Sequence, residues 1–127
     1  MKQMKRLPDA ELEVMKALWN VGDNVPRNAL EEALAPFGWA TNTINTYLNR
    51  LEKKGFVAVQ HARRGNRYTA QISWEEYQTF DSKTVLSQLY GSPRNFVAAF
   101  ARNGLKRQEV DQLRSLLDEL EKENLHD

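Results

Sequence analysis

Asn42, Asn45, Thr46 and Asn49, with Arg50 and Lys53 beyond them, fall on one side of a helix when wound at about 100° per residue. Amides and hydroxyls donate and accept hydrogen bonds on short side chains. An Asn can pair with adenine at two points, and a Thr methyl can rest on the thymine methyl. Asn and Thr are also weak helix formers, so an ordinary solvated face gains little from them. Asn49, Arg50 and Lys53 lie further along, where they suit phosphate oxygens. A second basic group follows: Arg63, Arg64 and Arg67 surround Gly65-Asn66. Arginines on a glycine-containing turn suit a loop that meets phosphates or a narrow minor groove. Each feature alone fits a solvated surface as well; their joint occurrence points to double-stranded DNA.

Three helices and a hairpin would position these groups. A first helix is expected from about Asp9, as N-cap, to Val21, with Leu12, Met15, Leu18 and Trp19 on its buried side. Gly22-Asp23-Asn24 stops it. A second begins near Pro26, at its first turn, and ends at Pro36-Phe37-Gly38. A third runs from about Thr41, its cap, to Lys54, with Ile44, Tyr47, Leu48 and Leu51 inward and Gly55 in the left-handed position that follows. The runs 56–60 and 67–72 alternate around a turn and read as a β-hairpin. This order is that of a winged helix-turn-helix, whose third helix enters the major groove. Trp19, Trp39 and Trp74 are expected in the core.

After residue 72 the texture becomes helical only, with spans expected at about 74–90, 93–101 and 106–123. The fold class is therefore mainly α: a winged-helix domain over 1–72 and an all-helical dimerisation domain over 73–127. The charge divides likewise. Residues 1–72 hold 11 Lys/Arg against 7 Asp/Glu, and residues 73–127 hold 7 against 10. Such asymmetry suggests a nucleic-acid surface on the basic side. The tail is short for a core of its own, yet carries Val85, Leu86, Leu89, Tyr90, Phe96, Val97 and Phe100. Val110, Leu113, Leu117 and Leu120 add a heptad-like stripe, with Leu116 beside it. A twofold-related copy would cover this surface; folding back onto the winged helix is the alternative.

Other chemistries find little support. With no cysteine in the 127 residues, disulfides, thiolate metal sites and cysteine nucleophiles are excluded. His61 and His126 are too far apart in sequence for a local metal pair. No glycine-rich phosphate loop and no nucleophile–base pairing appears, and Glu31-Glu32 point in different directions on a helix. An enzyme is not expected, nor any cofactor or metal. No apolar run approaches the roughly 18–20 residues of a membrane span. The basic start, Met1 to Arg6, is followed by no apolar stretch, so neither a leader nor membrane insertion is expected and the default compartment is cytoplasmic.

The stretches Leu7-Pro8-Asp9-Ala10-Glu11-Leu12-Glu13-Val14-Met15-Lys16-Ala17-Leu18-Trp19 and Trp39 to Gly55 resemble the penicillinase repressor family (BlaI/MecI/CopY type). So do Leu89-Tyr90-Gly91 and Phe96-Val97-Ala98-Ala99-Phe100, and the resemblance spans nearly the whole chain. It implies a homodimeric winged-helix repressor on a palindromic operator, upstream of β-lactam-resistance or copper-homeostasis genes. By position, Asn42, Thr43, Asn45 and Thr46 become the base-reading candidates; other members carry basic residues in place of Asn42 and Asn45. In the antibiotic-responsive members a membrane sensor's signal leads to proteolysis at an Asn-Phe bond. The matching bond here is Ala99-Phe100, with Asn95-Phe96 one helical turn earlier. The copper-responsive members carry C-terminal cysteine pairs, so cuprous sensing by thiolates is excluded here. The alternative to DNA binding is a winged helix that binds protein, which would carry an apolar patch on helix three or the hairpin.

Overall fold

The computed structural model describes residues 4–123. Helix α1 (Asp9–Val21) buries Val14, Met15 and Leu18, with Glu11 in the same stripe. Pro8, not Asp9, is its N-cap; Asp9 sits inside the first turn and makes no capping hydrogen bond. Its charge still lies at the positive end of the helix. The same one-residue shift recurs at α3 (Thr41–Lys53), where Ala40 is the N-cap and Thr41 the first helical residue. Pro26 precedes α2 (Arg27–Leu34) as its N-cap rather than opening it. A 3-10 turn over Ala35–Phe37 closes α2, and Gly38 turns the chain at φ 67°. After α3, Gly55 adopts φ 84°, the left-handed conformation its place demands.

The wing is larger than a hairpin. Strands β2 (Val57–Gln60) and β3 (Arg67–Ala70) pair antiparallel, and β1 (Val25–Pro26) joins on the far side of β3, giving the order β1-β3-β2. Val25 and Val59 both stand opposite Tyr68, which is buried. Leu30, Leu34, Ile44, Leu48, Leu51, Phe56 and Val57 complete the core with the α1 residues. Trp19 and Trp39 pack against it half-buried, whereas Trp74 is exposed and rests on Trp19 with ring centroids 5.1 Å apart.

Helix α4 (Trp74–Val85) belongs to this first unit over most of its length. A reciprocal capping box starts it: Ser73 Oγ accepts from the Glu76 N–H at 3.0 Å, and Glu76 Oε1 accepts from the Ser73 N–H at 3.1 Å. Tyr77 is buried against Phe56 and Trp19, at centroid distances of 5.7 and 6.0 Å. Its hydroxyl oxygen accepts the buried Leu7 N–H at 2.7 Å. Burial pushes the Tyr77 phenol up, against the opposite pull of that N–H. Arg6 Nε donates to Asp81 at 2.6 Å, and Trp19 Nε1 to the Ile72 carbonyl at 2.9 Å. The two compact units therefore divide between Thr84 and Val85 instead of after Ile72.

In the second unit the expected helix over 74–90 breaks: α4 gives way to a π-helical turn over Leu86–Tyr90, ended by Gly91 at φ 83°. Ser92 caps α5 (Pro93–Phe100), its Oγ accepting the Asn95 N–H at 3.1 Å. Glu109 accepts the Lys106 N–H at 2.9 Å at the start of α6 (Arg107–Lys122). The π turn, α5 and α6 bury no residue. Their internal packing centres on Tyr90, Phe96 and Phe100, with Tyr90–Phe96 edge-on at 5.0 Å and Phe96–Phe100 stacked at 6.3 Å.

Candidate nucleic-acid interface

Helix α3 is held by its inner residues. Ile44, Leu48 and Leu51 are buried, which turns Asn42, Asn45, Thr46, Asn49, Arg50 and Lys53 outward, all exposed. Thr43 is only half-exposed, nearer the core than the other three base-reading candidates. Thr46 Oγ1 donates to the Asn42 carbonyl at 3.0 Å, so its hydrogen is engaged within the helix and its lone pairs and methyl remain outward-facing groups. At the N-terminal approach, Phe37 stacks on Trp39 at 4.6 Å and Trp39 meets Tyr47 edge-on at 5.1 Å. This cluster fixes where the helix begins.

The wing stands beside this face. A cleft of about 270 Å³ runs between them, lined by Asn45 and Asn49 from α3, His61 and Asn66 from the wing, and Arg27 from α2. A wider one of about 790 Å³ lies between the start of α2 and the wing tip, with Arg27, Arg63, Arg64 and Arg67 on its walls. Arg63 and Arg64 are exposed at the tip, where Gly65 adopts φ 117°. Arg67 is also exposed, but its Nη1 donates to the Asn24 carbonyl at 2.9 Å. Asn24, at φ 50°, donates its N–H to Thr69 Oγ1 at 3.2 Å. Arg67 thus braces the wing base as well as facing solvent.

These two surfaces, a polar helix and a basic wing on one unit, are what the comparisons with known proteins bear on. The model of the family described as penicillinase repressor matches residues 7–119. The penicillinase repressor of Bacillus licheniformis is 33% identical over 123 residues, 94% of each chain. The chain belongs to the penicillinase repressor family. The methicillin resistance regulatory protein MecI of Staphylococcus aureus strain N315 is 27% identical over 114 residues, 88% of this chain and 93% of that protein. The solution structure of the DNA-binding domain of the repressor BlaI is 36% identical and superposes with a TM-score of 0.53 over 61% of this chain and 94% of that domain. Membership makes the chain a transcriptional repressor by family, not an enzyme. Among the described residues no helix is long and apolar enough to cross a membrane.

Two charged residues of this penicillinase repressor relative escape sequence reasoning. Glu11 is only 2% exposed and meets Lys54 Nζ through Oε1 and Arg50 Nη1 through Oε2, the latter at 4.0 Å. Its signal was its register: 11, 14, 15 and 18 form one helical stripe, and an acid in an apolar stripe must be paired. Arg27 opens α2, the end where a cation is disfavoured. Its Nη1 donates to Tyr68 Oη at 3.1 Å, its Nε meets Glu31 at 3.2 Å, and its Nη2 is buried with no partner among the described residues. The backbone N–H of Arg27 donates to the Asn66 carbonyl at 3.2 Å. Arg27 therefore ties α2 to the wing.

Proposed function

We propose that this member of the family is a cytoplasmic, homodimeric operator-binding repressor that lays α3 in the major groove of double-stranded DNA. Asn42, Thr43, Asn45 and Thr46 meet base edges. Asn49, Arg50, Lys53, Arg63, Arg64 and Arg67 meet phosphates. The observation that carries this reading is the outward amide face of α3 with a basic wing beside it on one compact unit. An apolar patch, which a protein-binding winged helix would need there, is not what these residues offer. The names of the relatives, a penicillinase repressor and a methicillin resistance regulator, support β-lactam-resistance genes as the regulated class.

The exposed side chains Leu89, Phe96, Val97, Phe100, Leu117 and Leu120, with half-buried Leu86, Tyr90, Val110 and Leu113, supply the self-association surface. Release would follow cleavage at Ala99-Phe100 by a protease of a membrane-sensor pathway. That bond lies in the last turn of α5, with Phe100 exposed, so the turn must unwind before it is cut. A gel shift with the chain's own upstream region, beside a scrambled duplex of equal length, tests the reading. A retarded complex specific to the upstream duplex is expected; equal retardation of both duplexes would reject sequence-specific binding.

A further inference from the structure

Glu11 is buried beneath the outward face of α3, yet it pairs closely with Lys54 and lies 4.0 Å from Arg50. A carboxylate that is 2% exposed has lost its hydration, a cost that pairing with cations must offset. Here the pairing comes from the far end of α3: Lys54, the C-cap residue, is hydrogen-bonded to one carboxylate oxygen, and Arg50 Nη1, one turn earlier, stands 4.0 Å from the other, too far for a hydrogen bond. The end of a helix is its negative pole, so an acid there does nothing for α3 itself. An apolar side chain would fill the same stripe of α1 without the penalty. What the carboxylate adds is direction.

We propose that Glu11 is a positioning residue for operator recognition, its charge drawing Arg50 toward one approach of a phosphate over others. This rests on the operator-binding reading above. The Arg50 side chain is 60% exposed, so with Nη1 turned toward Glu11 its remaining N–H groups still face solvent. Lys54 is held more closely and its charge is neutralised within the protein. Glu11 thus lowers the generic attraction of α3 for any phosphate and sharpens the geometry of what is left. Phosphate contacts carry no sequence information themselves, but they set the register in which bases are read. A freed Arg50 would hold phosphates in several registers.

The test uses the full chain, the duplex that the parent selects from a random pool, and a scrambled duplex of the same composition. Glu11→Gln is expected to bind the scrambled duplex more tightly, with a salt slope steeper by about 0.9 for each cation released. Its preference for the selected duplex should fall about tenfold as register is lost. Because Glu11→Gln puts an uncharged amide in a buried position and unpairs Lys54, a second variant keeps the test sound. Glu11→Met with Lys54→Met replaces the pair by apolar groups, an exchange that is often neutral or stabilising for folding when the acid is buried. It should melt no lower than the parent and still lose preference. A double variant as stable and as selective as the parent overturns the inference. So do losses on both duplexes that simply track the fraction folded. A parent with no preference at all would instead reject operator binding itself.

Discussion

Asn45 sits on the outward face of α3, exposed and on the wall of the cleft between that face and the wing. Asn45→Ala is expected to reduce operator affinity by about 1–3 kcal/mol while leaving binding to scrambled DNA nearly unchanged, as competition titrations would read. The three wing arginines should not behave alike. Arg63→Ala or Arg64→Ala removes a tip charge and should reduce the slope of log K against log salt by about 0.9 on every sequence. Arg67→Ala should do this and also lower the melting temperature, because its bond to the Asn24 carbonyl is lost. A salt slope equal to the parent's in both tip variants would remove the wing from the phosphate contacts. At this scale the outward face of α3 was legible because period alone orients a helix. Arg27 was not, because its partners Tyr68 and Asn66 lie some forty residues away and only the fold brings them to it.

Among the elements, α1, α3 and the hairpin were legible from periodicity and punctuation. The caps were displaced by one residue, since an Asp or Thr is favourable both at the N-cap and in the first turn, and local pattern does not separate the two. Strand β1 has two residues, too few to show alternation; its pairing with β3 is a tertiary fact. The assignment of α4 to the tail failed for a related reason: Tyr77 is apolar enough for either unit, and its bond to the Leu7 N–H joins residues seventy apart in sequence. A chain ending at Thr84 should therefore fold cooperatively, and one ending at Ile72 should unfold at lower denaturant, since Phe56 and Leu7 lose their cover. Tyr77→Phe leaves the Leu7 N–H buried without its acceptor and should destabilise by about 1–3 kcal/mol. The phenol also predicts the alkaline limb. Its folded value is raised above the unfolded value of about 10, so the fold favours the protonated form. That contribution is complete below the unfolded value and declines as pH rises past it. Stability of Tyr77→Phe, followed by denaturant titration from neutral to alkaline pH, should show a shallower decline than the parent's.

At the scale of the molecule, the charge contrast read from the sequence softens once the boundary moves. Residues 1–84 hold 12 Lys/Arg against 10 Asp/Glu and residues 85–127 hold 6 against 7, because Glu75, Glu76 and Asp81 belong to the first unit. The basic character is local to α3 and the wing. The second unit contributes apolar surface: Leu89 is 73% and Leu117 61% exposed. If a second copy covers that surface, Leu117→Asp should shift sedimentation equilibrium to the monomer. Operator affinity should then fall roughly 10²–10⁴-fold as the joint hold of two heads is lost. A Leu117→Asp chain that stays dimeric at micromolar concentration would exclude α6 from the interface.

A unit whose described residues include none that is buried has a further property once it completes its core only in company. Its folding and its association become one equilibrium, governed by mass action. Each tenfold dilution then removes about 1.4 kcal/mol from the assembled form. The π turn, α5 and α6 would open first as the cellular copy number falls, presenting apolar chain to degradation while the first unit stays folded. Scarcity of the repressor would thus hasten its own turnover, and the abundance of the protein becomes a variable to which the tail responds.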